Sequence, residues 1–394
     1  MSSKPAVLLS WQLSDLHGWG IAGYEIFSNW ALKGKYQPVM GYPVSDNEVR
    51  GMDSLRKKLL LPSFQASNDL NAQITRAIQI NPNQELTINI PVVHALGNQF
   101  SKSGPNLKGS ANIGRIVFEF DNLQSVTQMA KQYDAFVVAS RWNLELLKAA
   151  TDKPVFLNHE GVDTTRFHPG PKSGLLNDDN FYIFSGGKIE YRKAQDLALE
   201  VFKRFAQDKS NVKLVTAWQS VFAQQISQGY KGILDVGLEV HEGSVASIEK
   251  WAVDNGIPAE KIIDIGQVPH HMMPHVIREM DAALQLSRAE GGTNFVAMEC
   301  MACGIPTLLS RCTGHLDIIN YPNAIAVEVT SQSLTHIDGA ADWRETDIDD
   351  AVAKLETLYK HKQSTGTTHS SENFPRTWTQ HSQDLEGILD ECFT

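Results

Sequence analysis

Two stretches in the second half of the chain combine residue types suited to anion and sugar chemistry. The first is Ser185-Gly186-Gly187-Lys188, followed by Arg192-Lys193 at the start of a helical pattern. Glycines let a backbone approach a ligand closely, and cations beside a helix N-terminus make a ready anion site. A diphosphate is the guest such a loop would take; a solvated basic turn is the competing reading of the same residues. The second stretch is Ser287-Arg288-Ala289-Glu290-Gly291-Gly292-Thr293-Asn294, running into Phe295-Val296-Ala297-Met298-Glu299. A carboxylate accepts hydrogen bonds from two vicinal hydroxyls, so such glutamates suit a hexose or a ribose. The amides of Gly291 to Asn294 would face whatever Glu290 flanks.

These residues need a scaffold, and the pattern around them supplies one. Short apolar runs alternate with segments of helical period. Val7 to Trp11, Pro38 to Tyr42, Ile88 to His94, Arg115 to Phe120, Ala135 to Ala139 and Val155 to Asn158 read as strands. After a Gly/Pro-rich stretch from His159 to Asn180, strands resume at Phe181 to Phe184, Val212 to Thr216, Ile262 to Ile265 and Ala282 to Leu286. Such alternation predicts an α/β class with parallel sheets and helices on both faces. Both candidate stretches fall where strands of the second sheet end, the edge at which open α/β sheets bind ligands. A length of 394 residues favours two domains. Ser220 to Asp254 gives no clear pattern.

At this point the second half resembles the family 4 glycosyltransferases of the GT-B fold. Glu290 to Pro306 is similar to their E-x7-E region, whose usual run is close to E-G-F-G-x-x-x-x-E-A-M-A-C-G-x-P. Lys188 and Lys193 share the spacing of the Arg and Lys in the G-R-x-x-x-x-K-G loop. Glu160-Gly161-Val162-Asp163 through Phe167-His168-Pro169 resembles the interdomain N-G-V-D-x-x-x-F-x-P junction, Gly266-Gln267-Val268-Pro269 the segment that holds the base, and Thr313-Gly314-His315 a small-residue turn. The resemblance implies two Rossmann-like domains with parallel sheets facing across a cleft. The expected boundaries are 1–168 for an acceptor-side domain, 169–376 for a donor domain and 377–394 for a helix packing back on the first. It also implies a retaining, metal-independent hexosyltransferase with no cofactor, whose donor substrate is a UDP- or GDP-linked sugar and whose acceptor bears a hydroxyl.

Roles follow from the resemblance. Glu299 would bind the donor ribose. Glu290, with Gly291, Gly292, Thr293, Asn294 and Phe295, would hold the donor sugar. Gly187, Lys188, Arg192 and Lys193 would neutralise the diphosphate, and Val268 would line the base. Two departures stand out: eight residues rather than seven separate Glu290 from Glu299, and Lys188 replaces the usual Arg. In the first half, Gly18, Gly20 and Gly23 are assigned to the family's glycine-rich loop, with His17 as a weaker candidate. His94 resembles a strand-end His of the family, with a packed core residue as the equal alternative. Glu119 falls where many members place a functional His, and could replace it.

Other classes weigh less. Gly18-Trp19-Gly20-Ile21-Ala22-Gly23 satisfies G-x-G-x-x-G, which makes a NAD-dependent oxidoreductase the alternative enzyme. The six residues Gln12 to His17 between strand and first glycine count against the tight dinucleotide turn. A non-catalytic sugar-binding pseudoenzyme is the alternative outside enzymes. The net charge of −10 argues against nucleic acid. Arg56, Lys57 and Lys58 beside Leu59, Leu60 and Leu61 could touch a membrane surface, though the end of an amphipathic helix is the preferred reading. Four cysteines and no export-like apolar segment point to the cytoplasm, at most at the inner face of a membrane.

Overall fold

The computed structural model describes residues 4–80, 84–123, 126–176, 179–218, 230–239, 247–334 and 336–393. Parts of the unreadable Ser220–Asp254 span and of the Gly/Pro-rich stretch lie outside these residues. The chain divides into two compact units, Met1–Asp163 with Pro269–His271 and Arg376–Thr394, and Thr164–Val268 with Met272–Pro375.

The first unit is built on β1 (Ala6–Leu9), α1 (Gly18–Leu32), β2 (Gln37–Met40), α2 (Ser54–Ile80), β3 (Val92–Leu96), β4 (Asn112–Ile116), β5 (Ala135–Val138), α3 (Arg141–Ala150) and β6 (Val155–Leu157). Its sheet runs β2-β1-β3-β4-β5-β6, all parallel, with Lys102–Ser103 added antiparallel to β3. The strands are apolar on both faces because helices cover both. The C-terminal helix of the chain belongs here too. Its Leu385 and Leu389 pack with Trp30 and Tyr36, and the Trp30 indole donates to Ser382 O at 3.1 Å.

The second unit contains β7 (Phe181–Gly187), α4 (Gln195–Phe205), β8 (Val212–Trp218), β9 (Ile262–Asp264), β10 (Ala282–Gln285), α5 (Phe295–Ala302), β11 (Thr307–Ser310), β12 (Ala324–Val327) and α6 (Ile348–Thr365); the C-terminal helix of the first unit is then α7 (Trp378–Phe393). The sheet order is β9-β8-β7-β10-β11-β12, again all parallel. β7 and β10 are buried along nearly their whole length, as central strands between two helical layers must be. On α4 the residues Ala198, Val201, Phe202 and Phe205 recur at helical spacing and enter a core with Leu214, Leu284 and Leu308 of the sheet and Leu355 of α6. In this order the chain leaves β7 in one direction and returns at β10 on its other side. At such a switch point open α/β sheets bind their ligands, beyond the carboxyl ends of the two strands.

Some strand bounds differ from the sequence reading. β3 extends to Leu96, so His94 is a mid-strand residue and does not end the strand. β4 stops at Ile116, so Glu119 lies beyond it in a loop. Both shifts arise because the register of a buried strand is set by its neighbours. His94 pairs with Gly114, and Leu96 with Ile116. Among the described residues no helix is long and apolar enough to cross a membrane. Leu55, Leu59 and Leu61 of α2 are exposed.

Three histidines report on this packing. Burial pushes the imidazoles of His94 and His315 down to about 4, and burial together with the nearby Arg115 charge pushes His381 to about 3. The unfolded chain binds protons on these rings near the ordinary value of about 6.5. It therefore holds more protons than the folded chain below that pH, and their contribution is present above about 6.5 and lost as pH falls toward 4. The urea midpoint is expected to drop between pH 7.5 and pH 5, with the three rings still neutral by nitrogen NMR at pH 5. A protonated ring in the folded protein at pH 5 would contradict this.

Candidate functional site

Three loops leave the carboxyl ends of adjacent strands β7, β10 and β11 and meet on one carboxylate. Loop one turns at Gly187 (φ 129°), makes a 3-10 turn over Tyr191–Lys193 and enters α4 through Ala194 (φ 56°). Loop two carries Ser287 to Asn294, and Asn294 (φ 61°) caps α5 by accepting from Ala297 N at 3.3 Å. Loop three begins at Thr313 (φ 39°). Left-handed backbone at a non-glycine residue costs on the order of 1–3 kcal/mol and persists only where surroundings over-determine it.

What determines it is Glu290, which is 4% exposed. Its carboxylate accepts from Lys193 Nζ at 2.6 Å, Arg192 Nη1 at 2.8 Å, Ser287 Oγ at 2.6 Å and Asn294 Nδ2 at 3.0 Å. Burial raises its pKa, but Lys193 and Arg192 outweigh burial and hold the carboxyl well below the usual carboxylate range. Burial likewise lowers the Lys193 ammonium, against the pull of Glu290. Arg192 also bonds Ala289 O at 2.9 Å and Glu190 at 2.9 Å, and the exposed Lys188 pairs with Glu190. Three cations thus face two carboxylates, which leaves this cluster with an excess of one positive charge. Such a surplus can be met by an anionic group.

The expected residues Gly187, Lys188, Arg192, Lys193, Glu290 and Asn294 therefore form one cluster. Gly291, Gly292 and Thr293 are buried in its second loop, and Phe295 opens α5 beside it. Glu299 lies one turn further along α5 and is 7% exposed. Val268 follows the edge strand β9, two strands away from β7 in the sheet.

The first-half candidates lie elsewhere in the local structure than their motifs suggested. Gly18, Gly20 and Gly23 are not in a loop: they form the first turns of α1, whose N-cap is His17, with Nδ1 accepting from Gly20 N at 3.0 Å. Small size at Gly20 and Gly23 serves packing. A Cβ on Gly20 would sit 2.4 Å from Ser14 Cβ, and one on Gly23 2.5 Å from the Trp11 indole nitrogen. Gly18 is already helical, where the dinucleotide motif would place its tight turn. His94 is 2% exposed, bonds Asn112 Oδ1 at 3.0 Å and packs edge-on to Tyr133. It is a core imidazole, not a group presented at a strand end. Glu119 is half-buried, with its N–H donating to Asn98 Oδ1 at 2.8 Å.

Sequence reasoning named Ser287, Arg288 and the Thr313-Gly314-His315 turn within matching stretches but gave none of them a role; the structure places Ser287, Thr313 and His315 at the site and Arg288 behind it. Arg288 is fully buried; it bonds Asp196 at 2.6 and 2.9 Å and Glu345 at 3.0 Å, and lies 3.9 Å over the Tyr191 ring. Its Nη1 also donates to Tyr191 O at 2.6 Å, and its N–H to Arg192 O at 2.7 Å, so it ties the cationic loop to β10. No spacing signals this, since the partners come from three separate elements.

Two six-stranded parallel sheets, the second with its site at the switch point, define the GT-B class of glycosyltransferase folds. Residues 170–334 match the family described as glycosyl transferases group 1. Among solved structures the chain is similar to sucrose-phosphate synthase from Thermosynechococcus elongatus (13% identity, 99% of each chain covered, TM-score 0.60). It is also similar to Anabaena Alr3699/HepE in complex with UDP-glucose (11% identity, 98% of this chain and 99% of that one, TM-score 0.58). A third likeness is to a glycosyltransferase from Rickettsia africae ESF-5 (11% identity, 100% and 99%, TM-score 0.59). No curated protein matches by sequence. The likeness read from the motifs is thus shown for the fold and for the group 1 segment.

Removing Arg288 would strand a buried Asp196. Arg288→Met is expected to cost about 3–5 kcal/mol in urea unfolding; a loss below about 1 kcal/mol would show that Asp196 is compensated without it.

Proposed function

We propose that the chain is a retaining, family 4-like glycosyltransferase that moves a hexose from a nucleoside diphosphate sugar to a hydroxyl-bearing acceptor. The observation that carries this reading is the buried Lys193–Glu290–Arg192 cluster at the switch point of the second sheet. Ligands of open α/β sheets bind at that point, and the cluster joins a surplus of positive charge to a carboxylate able to receive two hydroxyls. The diphosphate lies against Lys188, Arg192 and Lys193, the sugar against Glu290 and the amides after it, and the ribose against Glu299. The donor base is uracil or guanine; the UDP-glucose held by HepE, which has the same fold, favours uracil. The nucleotide sugar is a substrate, and no separate cofactor is needed.

In the reaction the bond from the anomeric carbon to the diphosphate oxygen breaks, and a bond to the acceptor oxygen forms on the same face. The acceptor proton passes to the leaving phosphate oxygen. Negative charge grows on that oxygen, and preorganised cations that meet it stabilise the transition state more than the ground state. Exclusion of water matters because water is itself a hydroxyl acceptor.

Purified protein should show thermal stabilisation by UDP or GDP, and release nucleoside diphosphate from the matching hexose donor. Lys193→Ala should lower turnover roughly 10²–10³-fold, the usual cost of losing one such charge contact, with an unchanged circular dichroism spectrum. Wild-type turnover in that variant would remove the donor-site assignment. Stabilisation by NADH in place of nucleoside diphosphates would favour the oxidoreductase instead.

A further inference from the structure

We infer that His315 is a positioning residue that aims the Glu290 carboxylate through Asn294, an inference that rests on the donor-site reading above. The turn it belongs to already fixes the main chain of Glu290 from both sides. Thr313 Oγ1 accepts from Glu290 N at 2.7 Å, and Gly314 N donates to Glu290 O at 3.0 Å. Only glycine fits at 314, where a Cβ would lie 1.9 Å from Gly292 O. His315 completes the grip on the side chain.

The chain of bonds has a defined polarity. Asn294 Oδ1 is committed to the N-cap of α5, where it accepts from Ala297 N. Its NH2 group must therefore face the other way, and it meets Glu290 Oε1 and His315 Nε2, each at 3.0 Å. An NH2 only donates, so Nε2 is the bare nitrogen of the ring and Nδ1 carries the proton. Ser310 O receives that proton at 3.2 Å. In the opposite tautomer two donors would face each other. The amide would then have to flip, which would break the helix cap and turn a carbonyl toward the Glu290 carboxylate. His315 thus fixes the sense of the Asn294 amide, and the amide fixes which way one oxygen of Glu290 points. Burial keeps the ring neutral at working pH, with a pKa pushed down to about 4. The ring is wholly buried and its Nε2 is 4.0 Å from Glu290 Oε1, so it acts through Asn294 and not on a substrate.

The test separates aim from binding. His315→Leu removes the acceptor, whereas His315→Gln offers a side-chain carbonyl in place of Nε2. With UDP-sugar donors, His315→Leu should lower kcat roughly 10–100-fold, the scale expected when a reacting group is misplaced by about 1 Å. The Kd for UDP should stay within about twofold, and His315→Gln should recover most of the rate. Asn294→Asp, which is isosteric, sets a second carboxylate against Glu290 and should lose kcat similarly even if His315→Leu fails to fold. Adding His315→Leu to Asn294→Ala should cost little more than Asn294→Ala alone, because residues in one bonded chain do not act additively. The inference is overturned by wild-type kcat in either Asn294→Asp or a folded His315→Leu. It is equally overturned if His315→Gln is as impaired as His315→Leu, or if UDP affinity falls in step with kcat. A wild-type chain that binds no nucleoside diphosphate and transfers from no UDP- or GDP-sugar sinks the donor-site reading, and this inference with it.

Discussion

A carboxylate withdrawn from water is tolerable only if charge and hydrogen bonds replace its hydration, and at Glu290 the charge comes from another loop while its own loop adds hydrogen bonds. Lys193 and Arg192 arrive from the end of β7, Ser287 and Asn294 from the end of β10, and the turn beginning at Thr313 from the end of β11. Losing any one partner leaves a buried charge under-compensated, which is far more costly than the loss of a surface pair. The three loops are therefore mutually dependent. That dependence explains how left-handed backbone at Ala194, Asn294 and Thr313 is sustained in the same small region. Strain of this kind survives where the surrounding contacts leave the chain no alternative.

The same arrangement divides labour between two arginines, Arg192 and Arg288. Arg192 reaches Glu290, which it shares with Lys193. Arg288 turns away from it, closed between Asp196, Glu345 and the face of Tyr191. A planar guanidinium with several donors can satisfy two carboxylates and a carbonyl at once, which an ammonium cannot. The inner arginine holds the cationic loop against β10, and the outer cations are then free of that duty. In the proposed reaction this means that charge meeting the diphosphate is set in place before the donor arrives, so little reorganisation is needed when charge develops.

How much of this was legible in the sequence depended on locality. Lys188, Arg192, Lys193 and Glu290 could be found because each sits with glycines at the end of an apolar run, and that short-range grammar places a residue at a strand's carboxyl end. Gly18, Gly20 and Gly23 matched a short-range pattern equally well, yet they are helical. Spacing cannot distinguish a glycine needed for a turn from one needed, as Gly20 and Gly23 are, for close packing against Ser14 and Trp11. His94 was ambiguous for a related reason: the end of a strand is decided by its partners, and pairing with β4 carries β3 two residues past it.

The sequence by itself determined the α/β alternation, the two glycine-and-charge loops and the likeness to group 1 glycosyltransferases, because periodicity and turn chemistry act over a few residues. Only the tertiary structure decided that β11 lies beside β10, and so that His315 and Thr313 close on Glu290 from more than twenty positions away. Strand order is settled by which buried faces can be covered together, a property of the whole sheet that no local window of residues contains.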